Sequence, residues 1–262
     1  MKIKEVVSAL ERFAPLPLQA DYDNAGMQIG LTEAEVSGAL LCLDVTEQVV
    51  DEALQKGCNL IVSHHPLIFR KLRHITGEDY VQRIVAKAIK NDIAIVAMHT
   101  NLDSAKGGVN YRIAEKMKLC QLEWMGNTQK VGDVEGGDGV VGLLPEPMAA
   151  DDFILMLKKQ FGVECVMANQ LLRKQIQKVA ICGGAGDFLL DDAIRNGADA
   201  FVTGEMHYHQ YFGHEQEIQI AVIGHYQSEQ YTAELLRDII LRECKDIKCF
   251  ITEINTNPII YL

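Results

Sequence analysis

The chain has 262 residues, 48% hydrophobic and 23% charged, and its 25 Lys and Arg against 36 Asp and Glu leave a net charge of −11. That length can bury one large core or two smaller ones. With no Lys/Arg-rich block, this acidic balance disfavours a nucleic-acid surface built on phosphate contacts, and no apolar run reaches the roughly 18–20 residues of a membrane helix.

The N-terminal stretch MKIKEVVSALERF carries acidic residues inside its apolar pattern and no small-residue cleavage site, so it does not read as a signal peptide. Seven scattered cysteines, several within apolar runs and with no CxxC pair, read as reduced thiols in a cytoplasm rather than a disulfide frame. Residues 38–45 form a predicted strand and 46–57 a helix, with Thr46 as N-cap and Gly57 just past its end. Residues 59–63 read as a buried strand ending at His64-His65-Pro66. An amphipathic helix at 79–90, a strand at 93–98 and a helix at 107–119 follow.

The stretch 126–140 is rich in Gly and Asp and shows no period before Val140, so it reads as a linker or exposed loop. A helix at 151–161 opens on acidic residues. From there the plan repeats. At an offset of 140, KVAICGG lies over GALLCLD and DDAIRNGADAFVT over DEALQKGCNLIVS. At an offset of 126, the strand ending at His99 is matched by one ending at His225. Each of these histidines has a carboxylate four residues on, Asp103 and Glu229. The expected fold is an internally duplicated α/β protein: a first half over 1–125, a linker at 126–140 and a second half over 141–262. Its strands should be mostly parallel, with ligands at their C-terminal ends.

Three motifs at those ends carry candidate chemistry. His64 and His65 are adjacent, and on an extended strand they would point to opposite sides. A turn before Pro66 lets both face one pocket and serve two different ions. His225 opens a predicted helix running to about 243, where residues i and i+4 share a face, so His225 and Glu229 converge. Imidazole with carboxylate suits Zn, Mn or Fe rather than Ca. His207, His209 and His214 follow Thr203-Gly204-Glu205, the repeat equivalent of Ser63-His64-His65. They are candidates for substrate contact, and Glu205 for a general base. Gly183-Gly184-Ala185-Gly186 lacks the Rossmann spacing and reads equally as a tight turn.

Taken together, Asp23-Asn24-Ala25-Gly26, Ser63-His64-His65-Pro66, His99-Thr100-Asn101-Leu102-Asp103, Thr203-Gly204-Glu205 and Gly224-His225-Tyr226-Gln227-Ser228-Glu229 resemble the Nif3-like proteins, the GTP cyclohydrolase I type 2 homologs, across the whole chain. The resemblance implies a metal cleft between the duplicated halves and two divalent ions per chain. It also implies a toroidal homohexamer. Its ligands fall on His64, His65, Asp103, His225 and Glu229, with Glu229 as bridge and His99 beside the ions rather than on them. The activity implied is hydrolytic opening of a purine nucleotide ring, with His99, Glu205 or His209 moving protons and Arg70, Lys71 and Arg73 meeting a triphosphate. A metal-handling or regulatory protein without that activity would need the same ligands.

Overall fold

The computed structural model describes residues 1–260, which cluster into two compact units: 1–102 with 232–260, and 103–231. The first unit begins with helix α1 (Ile3–Phe13), whose Ile3, Val6, Ala9 and Leu10 turn inward. Its sheet contains β1 (Gly26–Ile29), β2 (Ala39–Cys42), β3 (Leu60–Ser63) and β4 (Ala94–Ala97) in the order β1-β4-β3-β2, closed by the late strand β11 (Cys249–Ile251) beside β2. All but β1 run parallel. Every residue of β2, β3 and β4 is buried, as expected for parallel strands covered on both faces. Helices α2 (Glu47–Gln55) and α3 (Tyr80–Lys90) are the crossovers. Thr46 Oγ1 accepts from Val49 N at 3.2 Å and Asp79 Oδ1 from Gln82 N at 2.8 Å, caps worth about 1 kcal/mol each.

The chain passes from this unit into the other within α4 (Thr100–Ser104). The second unit continues with α5 (Val109–Lys116), the long hairpin β5 (Cys120–Val131) and β6 (Val134–Met148), α6 (Ala150–Phe161), β7 (Met167–Ala168), β8 (Ile176–Cys182), α7 (Leu190–Arg195), β9 (Ala200–Thr203), β10 (Gln219–Val222) and α8 (His225–Glu229). Its sheet order is β5-β6-β8-β9-β10-β7, with β8, β9 and β10 parallel and the other three strands antiparallel. The second sheet is therefore mixed.

The duplication is legible in this topology. The order β1-β4-β3-β2 of one unit matches β7-β10-β9-β8 of the other, down to the antiparallel edge strand beside β4 and beside β10. The compact units do not coincide with a division at 125 and 141. Helix α9 (Thr232–Glu243), late in the chain, packs on α1, β2 and β11 of the first unit. Its repeat equivalent α5, early in the chain, packs on β6, β8 and α8 of the second. The two halves have exchanged their last helices.

Residues 126–140 are the inner ends of a hairpin rather than a linker. Two of their glycines, Gly137 and Gly139, lie in β6 where the neighbours come too close for a side chain. A Cβ on Gly137 would stand 2.9 Å from the Trp124 ring, and one on Gly139 would stand 2.7 Å from the Ile181 carbonyl. The helix expected from 225 to about 243 is two helices, α8 and α9, separated at Gln230-Tyr231. All seven cysteines are free thiols, four of them buried. Among the described residues, no helix is long and apolar enough to cross a membrane.

Candidate metal site

In the first unit the donors stand at the C-terminal ends of parallel strands. His64 and His65 follow β3 and His99 follows β4. Ser63 Oγ donates to the His65 carbonyl at 2.8 Å and bends the backbone before Pro66. This brings the two adjacent rings onto one side, with centroids 4.8 Å apart. His99 lies 5.3 Å from His64 and 5.4 Å from His65 by the same measure. The three histidines offer ring nitrogens all within 4.8 Å of one another, a group that could hold a metal ion.

Each ring is held from behind. His64 Nδ1 donates to the Met98 carbonyl at 2.8 Å, His65 Nδ1 to Asp44 Oδ1 at 2.7 Å and His99 Nδ1 to Asp23 Oδ1 at 2.7 Å. A carbonyl or an ionised carboxylate only accepts, so Nδ1 carries a proton, and in the neutral imidazole Nε2 is the atom left with a lone pair. This is the outer-shell support that metal-ligating histidines receive. Burial pushes the Asp23 carboxyl up, but the hydrogen bonds and charge of His99, with Thr100 and the Asn24 N–H, outweigh it and bring it to about 2. Partial burial pushes the Asp44 carboxyl up, but the hydrogen bond and charge of His65, with Thr256, outweigh it and lower it.

The second unit carries a related arrangement. His225 opens α8 directly after β10, and its Nδ1 donates to Glu205 Oε1 at 2.7 Å. Its Nε2 lies 3.2 Å from Oε2 of Glu229, one helical turn on and only 4% exposed. An imidazole nitrogen and a carboxylate this close share either a proton or a cation. Glu229 fits only because residue 184 is glycine. Gly184 has φ +58°, and a Cβ there would lie 2.4 Å from Glu229 Oε1. Its N–H donates to Ser228 Oγ at 3.0 Å, and that hydroxyl donates to the His225 carbonyl at 2.8 Å. The Gly183-Gly184 turn thus accommodates a carboxylate rather than a phosphate.

Asp103 lies in α4, where Asn110 Nδ2 donates to its carbonyl at 3.2 Å. The negative charges of Asp103, Asp138 and Glu229 all bear on the Cys182 thiol, which burial foremost and these charges next push well up. Cys182 therefore stays protonated, and the donors of this unit are imidazole and carboxylate. Histidine with buried carboxylate suits a borderline divalent ion, so the residues fit the group the resemblance implies.

The remaining histidines are spread out. His207 donates to Asp187, which raises its pKa through that hydrogen bond, and His214 pairs with Glu217 at 2.8 Å. His209 is exposed on the turn Tyr208–Tyr211, with its ring 5.3 Å from Tyr208 and 6.2 Å from Phe212. Glu205 is exposed and engaged with His225. Asp23, Asp44 and Ser228 were given no role by motif reading. Asp23 and Asp44 lie 76 and 21 residues from the histidines they hold, so spacing carries no signal.

Two α/β units with histidines and carboxylates at strand C-terminal ends define a duplicated α/β protein equipped with metal-type donors. The chain belongs to the Duf34/NIF3 (NGG1p interacting factor 3) family, whose model matches residues 1–258. It is 36% identical over 230 residues, 87% of each chain, to a Clostridium perfringens protein named GTP cyclohydrolase 1 type 2 homolog. A crystal structure of a Staphylococcus aureus protein superposes with TM-score 0.90 at 29% identity, covering 100% of this chain and 99% of that one. A Bacillus cereus protein related to NIF3 gives TM-score 0.87 at 27% identity with the same coverage.

Proposed function

We propose that the protein is a metal-dependent hydrolase in which His64, His65, Asp103, His225 and Glu229 would hold two divalent ions. The observation that carries this reading is the common tautomer. His64, His65, His99 and His225 each have Nδ1 committed to an oxygen, which aims Nε2 as the donor atom. When bound, two such ions lower the pKa of water toward neutrality and polarise the bond under attack.

The chain's own groups do the rest. Asp44 and Glu205 hold the rings of His65 and His225 in orientation, so Glu205 acts through His225 rather than as a free base. His99, braced by Asp23, accepts and returns a proton at Nε2. His209, exposed on its turn, is a further candidate for moving protons. The substrate class we propose is a purine nucleotide, opened at C8 with loss of formate, in line with the names of the relatives. The assembly we propose is a cytoplasmic homohexamer, which sedimentation of the purified protein tests.

The reaction is tested by incubating metal-loaded protein with GTP and assaying formate. Release that disappears in Glu229→Ala supports the reading. No release from a protein carrying two ions per chain removes the substrate assignment, and absence of bound metal removes the hydrolase reading itself.

A further inference from the structure

Beside the histidine cluster of the first unit lies a feature that metal binding does not use. The loop after Pro66 carries Phe69, whose ring is edge-on to His99 with centroids 6.2 Å apart. Tyr22 meets Phe69 edge-on at 6.4 Å. Both rings are large and open, Phe69 46% and Tyr22 69% exposed, in a protein that buries most of its apolar side chains. The loop that presents Phe69 is fixed in place: Asn24 Nδ2 donates to the Ile68 carbonyl at 2.6 Å, and the Ile68 N–H donates to Gln28 Oε1 at 3.1 Å. An exposed aromatic ring on a pinned backbone is preorganised for a ligand.

The next residues are Arg70, Lys71 and Arg73, all exposed. Among the described residues none of these three forms an ion pair, a state shared with other exposed cations of the chain, but here three such residues fall within one four-residue stretch. Three uncompensated cations within four residues, adjoining an open aromatic pair, match a ligand with one flat π-face and one polyanionic end.

The geometry points to a nucleotide subsite: a heteroaromatic base packs on Phe69 and Tyr22 beside His99, and its phosphates meet Arg70, Lys71 and Arg73. The inference rests on the hydrolase reading for its substrate but makes a separate claim, because binding here needs neither ion. A free nucleotide is favoured over a nucleic-acid strand, since a strand must run on over an acidic surface.

The test is calorimetric binding of GTP, guanosine and inorganic triphosphate, on the protein as purified and again after EDTA. Phe69→Ala should weaken GTP and guanosine about tenfold, the scale of one stacked base, and leave inorganic triphosphate unchanged. Phe69→Leu, which keeps the apolar bulk, should fall between wild type and Phe69→Ala. The triple variant Arg70→Gln/Lys71→Gln/Arg73→Gln should weaken GTP and inorganic triphosphate and leave guanosine unchanged. GTP affinity that is absent in wild type, or equal in wild type and all variants, overturns the proposal. So does a single-stranded oligonucleotide that binds more tightly than GTP. If GTP binding follows this pattern without formate release, the subsite stands and the reaction falls. If formate is released at the same KM by every variant, the reaction stands and the subsite falls.

Discussion

Gly184→Ala separates the fold from the donor geometry, provided it is read against Gly197→Ala in the same unit. Both glycines occupy the left-handed region, at φ +58° and +67°. A side chain there costs about 1–2 kcal/mol, which lowers Tm by roughly 2–8 °C for a chain of this size. The surroundings differ. Nothing lies within 4 Å of a Cβ on Gly197, whereas one on Gly184 meets Glu229 Oε1 at 2.4 Å. Restoring ordinary contact moves that oxygen by about 1 Å, several times the ~0.2 Å tolerance of a metal–ligand bond. Gly197→Ala should therefore lose stability alone, while Gly184→Ala loses similar stability together with metal. Thermal unfolding and elemental analysis of the two purified variants make the comparison. Two ions per chain at wild-type affinity in Gly184→Ala would refute the placement of Glu229 as a ligand.

Asp44→Asn removes the charge behind His65 and should weaken metal binding about 10- to 100-fold with the fold intact; chelator competition checks this, and an unchanged affinity contradicts it. Asp23, whose folded pKa of about 2 lies below its ordinary 3.8, adds stability that is full above pH 4 and lost as pH falls toward 2. The stability gap between wild type and Asp23→Asn should be about 1 kcal/mol at pH 7, the pKa difference discounted for solvent screening of this partly exposed pair, and shrink below pH 4 in urea unfolding series. A gap independent of pH sinks that assignment. Gly137→Ala forces a methyl against Trp124 and should cost about 1–3 kcal/mol without changing metal content. A variant as stable as wild type would show that the hairpin gives way freely.

Legibility in the sequence followed how local the cause was. The parallel strands were readable because each is a short, wholly buried run ending at a chemistry-bearing residue, as in Leu60–Ser63 before His64. Thr46 and Gly57 marked the ends of α2 through their own side-chain and backbone preferences. The hairpin at 126–140 was not readable, since its glycines answer to Trp124 and Ile181 packing across strands and mimic loop composition. The exchange of α5 and α9 left no trace either. Both are amphipathic helices, and nothing in their spacing says which sheet they cover. At the site, His225 and Glu229 announced themselves by i,i+4 spacing. Asp23 and Asp44, which set the tautomers of His99 and His65, act across sheet strands and had to be seen in place.

The central claim is the ligand set, and diffraction from untreated crystals at several metal absorption edges tests it most directly. The account predicts two anomalous peaks per chain, contacted by Nε2 of His64, His65 and His225 and by carboxylate oxygens of Asp103 and Glu229. A single peak, a peak bound to His99 in place of these, or none at any edge would contradict it.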